Sequence, residues 1–186
     1  MSIAEWKEIG IPEGYGPHRL LYNAPSETII IEVHSVGKEF SPNRIYMREK
    51  DSPKYEPIKS FEPMDSCESA ATSSGRPILY YLSDRITKRE NDYAGDWLGL
   101  YCFDILNQTE TEIVGKDSFL LPPSYNRGWV TDLVSASEDA SALVLTVGMM
   151  VEDDSPGYHE VDHQLASLNL ATKQLNFISQ LKGTFF

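Results

Sequence analysis

Short runs of β-branched and aromatic residues recur along the chain, each bounded by Gly, Pro, Asn, Asp or Ser. Runs of this length, composition and punctuation predict strands rather than helices. They fall at 20–22, 28–34, 44–49 and 55–61, then at 69–72, 77–83, 98–105 and 110–114, and again at 131–136, 142–149, 163–170 and 174–180. The registers agree between the groups. Ile45-Tyr-Met-Arg-Glu-Lys-Asp-Ser-Pro-Lys-Tyr-Glu-Pro-Ile58, Leu100-Tyr-Cys-Phe-Asp-Ile-Leu-Asn-Gln-Thr-Glu-Thr-Glu-Ile113 and Leu165-Ala-Ser-Leu-Asn-Leu-Ala-Thr-Lys-Gln-Leu-Asn-Phe-Ile178 read as one strand pair met three times. The displacement that brings Leu100 onto Leu165 also brings Ser73 onto Glu138, each opening a turn followed by an apolar strand. A repeat of this kind predicts units that pack mainly on their neighbours.

Ser73-Ser-Gly-Arg-Pro-Ile-Leu-Tyr80 and Ser137-Glu-Asp-Ala-Ser-Ala-Leu-Val-Leu145 resemble the S-x-D-G-x-x-L turn-strand element of TolB-like and WD40-like β-propeller blades. The later stretches from Leu100 and Leu165 resemble the L-W-x-x-D-x-x-T-G third strand and hairpin of the same blades. Neither hairpin carries the usual glycine after its threonine, no WD dipeptide occurs, and the first unit departs most from the pattern. The resemblance implies an all-β protein of three four-stranded antiparallel blades. The expected units are 18–61, 62–123 and 124–182, with a tail at 183–186. Residues 1–17 stand outside the repeat. Ser2 and Glu5 have capping-box spacing and Ile3, Trp6 and Ile9 can share a face, which predicts a short N-terminal helix serving as a cap or tether. Closed propellers typically have about 4–8 blades, so three units predict an incomplete ring. Self-association into a dimer, or a place in a larger propeller, would complete it.

The chain has 186 residues, 41% of them apolar, which suffices for a packed core. Its 28 acidic and 16 basic residues leave a formal charge of −12, a field that repels a phosphate backbone and argues against nucleic-acid binding. No stretch approaches the roughly 20 apolar residues of a membrane span, and the first residues lack a basic and apolar secretory signal, so no membrane contact and a cytoplasmic location are expected. The two cysteines, Cys67 and Cys102, form no CxxC; Cys102 sits in an apolar run and reads as a small core residue.

The longest connections join the second and third strands of each unit, at 35–43, 84–97 and 150–162, and in an up-and-down sheet these emerge on one face. Loops on a rigid scaffold are common homes for binding. Tyr93, Asp96 and Trp97 in the second loop, and Asp154, Tyr158 and His159 in the third, combine aromatic platforms with polar groups, a mixture that suits basic peptides or sugars and is equally ordinary in polar loops. His159-Glu-Val-Asp-His163 has helical metal-ligand spacing, but in a strand its imidazoles would stand about 13 Å apart, so no metal is assigned. No GxSxG elbow, phosphate-binding loop or dinucleotide fingerprint occurs, and no cofactor or catalytic residue is assigned. The function expected is a non-enzymatic protein- or peptide-interaction module of β-propeller type. The alternative is a carbohydrate-active hydrolase or lyase using loop carboxylates near the channel.

Overall fold

Apolar residues occupy both faces of the central strands, which is why the sequence shows continuous runs such as Ile78-Leu-Tyr-Tyr-Leu82 rather than alternation. A computed structural model describes residues 7–23, 28–35, 43–61, 67–83, 98–114, 121–151 and 162–179. They form twelve strands: β1 (Tyr15–Asn23), β2 (Thr28–Ser35), β3 (Arg44–Arg48), β4 (Glu56–Ser60), β5 (Ser69–Thr72), β6 (Ile78–Ser83), β7 (Gly99–Asp104), β8 (Thr109–Val114), β9 (Arg127–Ala136), β10 (Ala142–Met150), β11 (Asp162–Asn169) and β12 (Leu175–Ser179). They pair antiparallel in chain order into three four-stranded sheets, β1–β4, β5–β8 and β9–β12, and no sheet closes on itself. The protein is all-β and propeller-like.

The middle sheet is packed on both sides. Leu79, Tyr81, Tyr101 and Phe103 meet Leu21, Ile30, Ile45 and Phe61 of the first sheet. Tyr80, Leu82, Leu100 and Val114 meet Leu133, Leu143, Leu145 and Val147 of the third. Burial pushes the Tyr80 hydroxyl up to about 12, and that hydroxyl donates to the carbonyl of Ala140 across the seam at 3.3 Å. The sequence repeat is also a contact map here. Ser73 donates its hydroxyl to the carbonyl of Glu138, its aligned counterpart 65 positions on, at 2.8 Å. Gly75 abuts the same carbonyl so closely that a Cβ would lie 2.2 Å from it.

Described residues of the N-terminal segment cover the far face of the first sheet. Ile11, 1% exposed, packs with Ile31, Val33 and Tyr46, and Ile9 lies against that cluster. Tyr55 N–H donates to the Ile9 carbonyl at 2.8 Å. Gly10 makes the approach possible: its φ is +92°, and a Cβ there would meet the Tyr55 carbonyl at 2.5 Å. Residues 1–6, where the predicted helix begins, lie outside the described residues. Its described end is helical at Lys7 and Glu8 and closes in a turn in which Gly10 N–H donates to the Lys7 carbonyl at 3.2 Å.

The hairpins explain the missing glycines. Asp104 accepts from the amides of Leu106 and Asn107, and Asn169 accepts from those of Ala171 and Thr172, so one side-chain turn closes both. The left-handed position at the end of each turn is held by Gln108, φ +53°, and Lys173, φ +59°. Non-glycine residues there pay strain that the blade pattern's glycine avoids.

Candidate functional site

β1 enters and β2 leaves at the end of the first sheet from which the 35–43 connection also departs. Their pairing is irregular there. Pro17 opposes Val33 and Arg19 opposes Glu32, so His18 is an extra residue in a β-bulge. Bulges re-aim a side chain, and the His18 ring stacks on His34, centroids 3.9 Å apart and planes 12° from parallel. In β2, Ile30, Glu32 and His34 share a face by strand alternation. That face packs on the second sheet, so Glu32 is carried into the seam and is 0% exposed.

The buried carboxylate is unevenly served. Its Oε1 accepts from Asn43 Nδ2 at 2.9 Å and His34 Nε2 at 3.0 Å. Among the described residues its Oε2 has no hydrogen-bond partner, and the nearest cation is Arg19, whose Nε is 3.7 Å away, an ion pair without a hydrogen bond. The guanidinium is held from the second unit instead. Nη2 donates to the Glu68 carbonyl at 3.2 Å and Nη1 to Ser69 Oγ at 3.3 Å. Ser69 in turn donates to Asp132 of β9, and Leu133 N–H donates to Ser69 Oγ at 3.1 Å. One polar chain thus runs through the innermost strands of all three units.

Those innermost strands, β1, β5 and β9, are each paired on one side only among the described residues. Residues 19–21, 70–72 and 132–136 bound an open cavity of about 420 Å³. Arg19 and Asp132 supply opposite charges to its wall, and Leu20 and Val134, 66% and 56% exposed, supply apolar surface.

No protein-family model and no curated protein matches this chain. Among solved structures it is similar to an oligogalacturonate lyase from Vibrio parahaemolyticus, 15% identical, with a TM-score of 0.51 over 94% of this chain and 39% of the lyase. It is also similar to an oligogalacturonate lyase in complex with manganese, 16% identical, with a TM-score of 0.47 over 86% of this chain and 37% of that one. A prolyl endopeptidase gives 10% identity and a TM-score of 0.41 over 82% and 24%. The chain spans about two-fifths of the length of the two lyases. The likeness to the first lyase is one of fold, a β-propeller; no WD40 or TolB relationship emerges beyond it.

Tyr93, Asp96, Trp97, Asp154, Tyr158 and His159 lie outside the described residues. Of the third loop's end, Asp162 and His163 are described. Asp162 accepts from Tyr125 Oη at 2.5 Å and from Gln164 Nε2 at 3.0 Å. The first of these, aided by burial, raises the Tyr125 pKa. His163 is half-buried in β11 opposite Gly148. Cys102 is partly buried against the core, and burial raises its thiol pKa. His18, Glu32 and His34 were not singled out by sequence. A signal was present: Glu32 interrupts Ile29-Ile-Ile-Glu-Val33 on the face that Ile30 assigns to the core, and a charge at a core position flags a site.

Proposed function

We propose that this chain is a binding module of β-propeller type that takes an extended protein or peptide segment at its inner strands. One observation supports the reading above others: three strand edges, none joined to a further strand among the described residues, border one open cavity that also holds an Arg, an Asp and exposed Leu and Val. Free edges can offer backbone hydrogen bonds to an extended chain, and the side chains between them can select it. Completion of the ring by a second copy, or by further blades, belongs to the same proposal. The test is selection from a displayed peptide library, with affinities then measured for the purified chain. Enriched peptides should bind the parent and lose about tenfold or more in affinity to Leu20→Asp and Val134→Asp, an apolar contact replaced by a charge. Failure to enrich, or equal binding by both variants, would abandon the reading.

A carbohydrate-active hydrolase or lyase is the second reading. It is favoured by the carboxylate and imidazoles of Glu32, His34 and His18, groups suited to proton transfer, at the long-loop end of the first sheet. A polysaccharide panel that includes oligogalacturonate, followed by ultraviolet absorbance for elimination and reducing ends for hydrolysis, decides it. Activity lost in His34→Ala supports the reading; no turnover on any substrate removes it.

A further inference from the structure

We propose that His18, Glu32 and His34 form a binding site for one divalent first-row transition-metal ion. Each offers one ligand atom, and those atoms all lie within 4.8 Å of one another. Proximity alone is weak support; the decisive observation is Glu32. Its side chain is 0% exposed and its Oε2 has no hydrogen-bond partner among the described residues. A buried carboxylate oxygen left without a partner is costly, and a cation held by both oxygens of the carboxylate would remove that cost. The nearby guanidinium offsets part of the charge but donates no hydrogen bond to this oxygen, because Glu68 and Ser69 hold its outer nitrogens and Nε stays 3.7 Å away.

One of the three spacings already fits coordination. Two ligand atoms each at about 2.0–2.1 Å from a common ion are roughly 2.9–3.4 Å apart at octahedral to tetrahedral angles. His34 Nε2 and Glu32 Oε1 are 3.0 Å apart. Without metal this is a hydrogen bond; with metal the same separation is one edge of the coordination polyhedron. The bulge brings His18 against His34; an imidazole binds metal in its ring plane and the two rings are stacked, so the exposed His18 ring would turn about its side-chain torsions to supply the third ligand. Asn43 Nδ2, bonded to Glu32 Oε1 and to the Cys67 carbonyl at 3.1 Å, orients the carboxylate from outside the ligand set. Two imidazoles and a carboxylate suit zinc, cobalt or nickel over magnesium or calcium, which prefer all-oxygen ligands. With His18 exposed and His34 half-exposed, a further position would face solvent, open to water or a ligand.

The test uses the full chain, stripped with a chelator and titrated separately with cobalt(II), zinc(II) and magnesium(II). Expected are one equivalent of cobalt or zinc, visible absorption bands of histidine-ligated cobalt, a zinc-dependent rise in thermal midpoint, and no magnesium effect. His18→Ala removes an exposed ring, so its fold should survive, and it should weaken zinc binding by about tenfold or more and abolish the cobalt bands. His34→Ala should do the same. His163→Ala, which breaks the His159/His163 pair, should bind as the parent does. Absence of stoichiometric cobalt or zinc binding, its persistence in both His18→Ala and His34→Ala, or its loss in His163→Ala would each overturn the proposal. The outcome is independent of peptide binding at the inner strands.

Discussion

Lys173 and Gln108 sit at the same point of two hairpins, yet their surroundings differ. A left-handed backbone costs a non-glycine residue about 1–2 kcal/mol, and glycine returns about 0.4–1 kcal/mol of that through the entropy of the unfolded chain. Lys173→Gly should therefore stabilise by about 0.5–1 kcal/mol, or about 2 °C in Tm for a chain of this size. Gln108 donates its side chain to the Ile105 carbonyl at 2.7 Å, so Gln108→Gly forfeits a bond and should gain less. Calorimetry on both variants checks the order; a destabilised Lys173→Gly would contradict the account. Asp139 makes a second prediction at this scale. Its carboxylate accepts from the hydroxyls of Ser137 and Ser141 at 2.8 Å and from the Ser141 amide at 3.0 Å, which brings its pKa to about 2. A depressed carboxylate stabilises the fold above the ordinary aspartate value near 3.9, and that contribution is lost as pH falls through about 2. NMR titration should find the Asp139 midpoint near 2, and Asp139→Asn should flatten the stability profile between pH 4 and 2. A midpoint near 4 would remove the turn from the account.

Ile11 tests how far the units behave as separate elements. It seals the outer face of the first sheet, and truncating a buried isoleucine to alanine costs about 2–5 kcal/mol. Because each unit touches mainly its neighbour, Ile11→Ala should speed hydrogen exchange in β1–β4 well before β9–β12; uniform acceleration would mean that the three sheets open as one. Strand existence was legible because buried strands are apolar on both faces, as Leu79, Tyr80, Tyr81 and Leu82 are. The starts of β1 and β9 were not. The runs predicted there begin at 20 and 131, whereas the strands begin at Tyr15 and Arg127; Pro17 fits β1 because an innermost strand is an edge, where proline gives up no ladder bond. The metal-ligand cluster was hidden for a related reason. Sequence spacing reports partners within one element, as with His159 and His163, whereas His18 meets Glu32 and His34 through strand pairing and a bulge. What remained visible was one glutamate in an isoleucine run.

The two end faces of the stack are unlike, and that difference makes association testable. The first sheet's outer face is sealed by Ile9 and Ile11. The third sheet's outer face carries Trp129, Val144, Thr146 and Leu165 at intermediate exposure and Ile178 at 56%. Its other face holds Leu143, Leu145 and Leu168 in the seam, so alternation places two apolar faces on one sheet. A propeller blade covered on one side only leaves such a face for the next blade, and an open arc can close when two copies meet. Light scattering across micromolar concentrations should therefore give a mass approaching twice that of the chain at the upper end. Leu165→Asp, a charge placed in the middle of the free face, should hold the protein monomeric while leaving its strand content by circular dichroism unchanged. A parent that stays monomeric and does not aggregate at every concentration would show that the face needs no second copy.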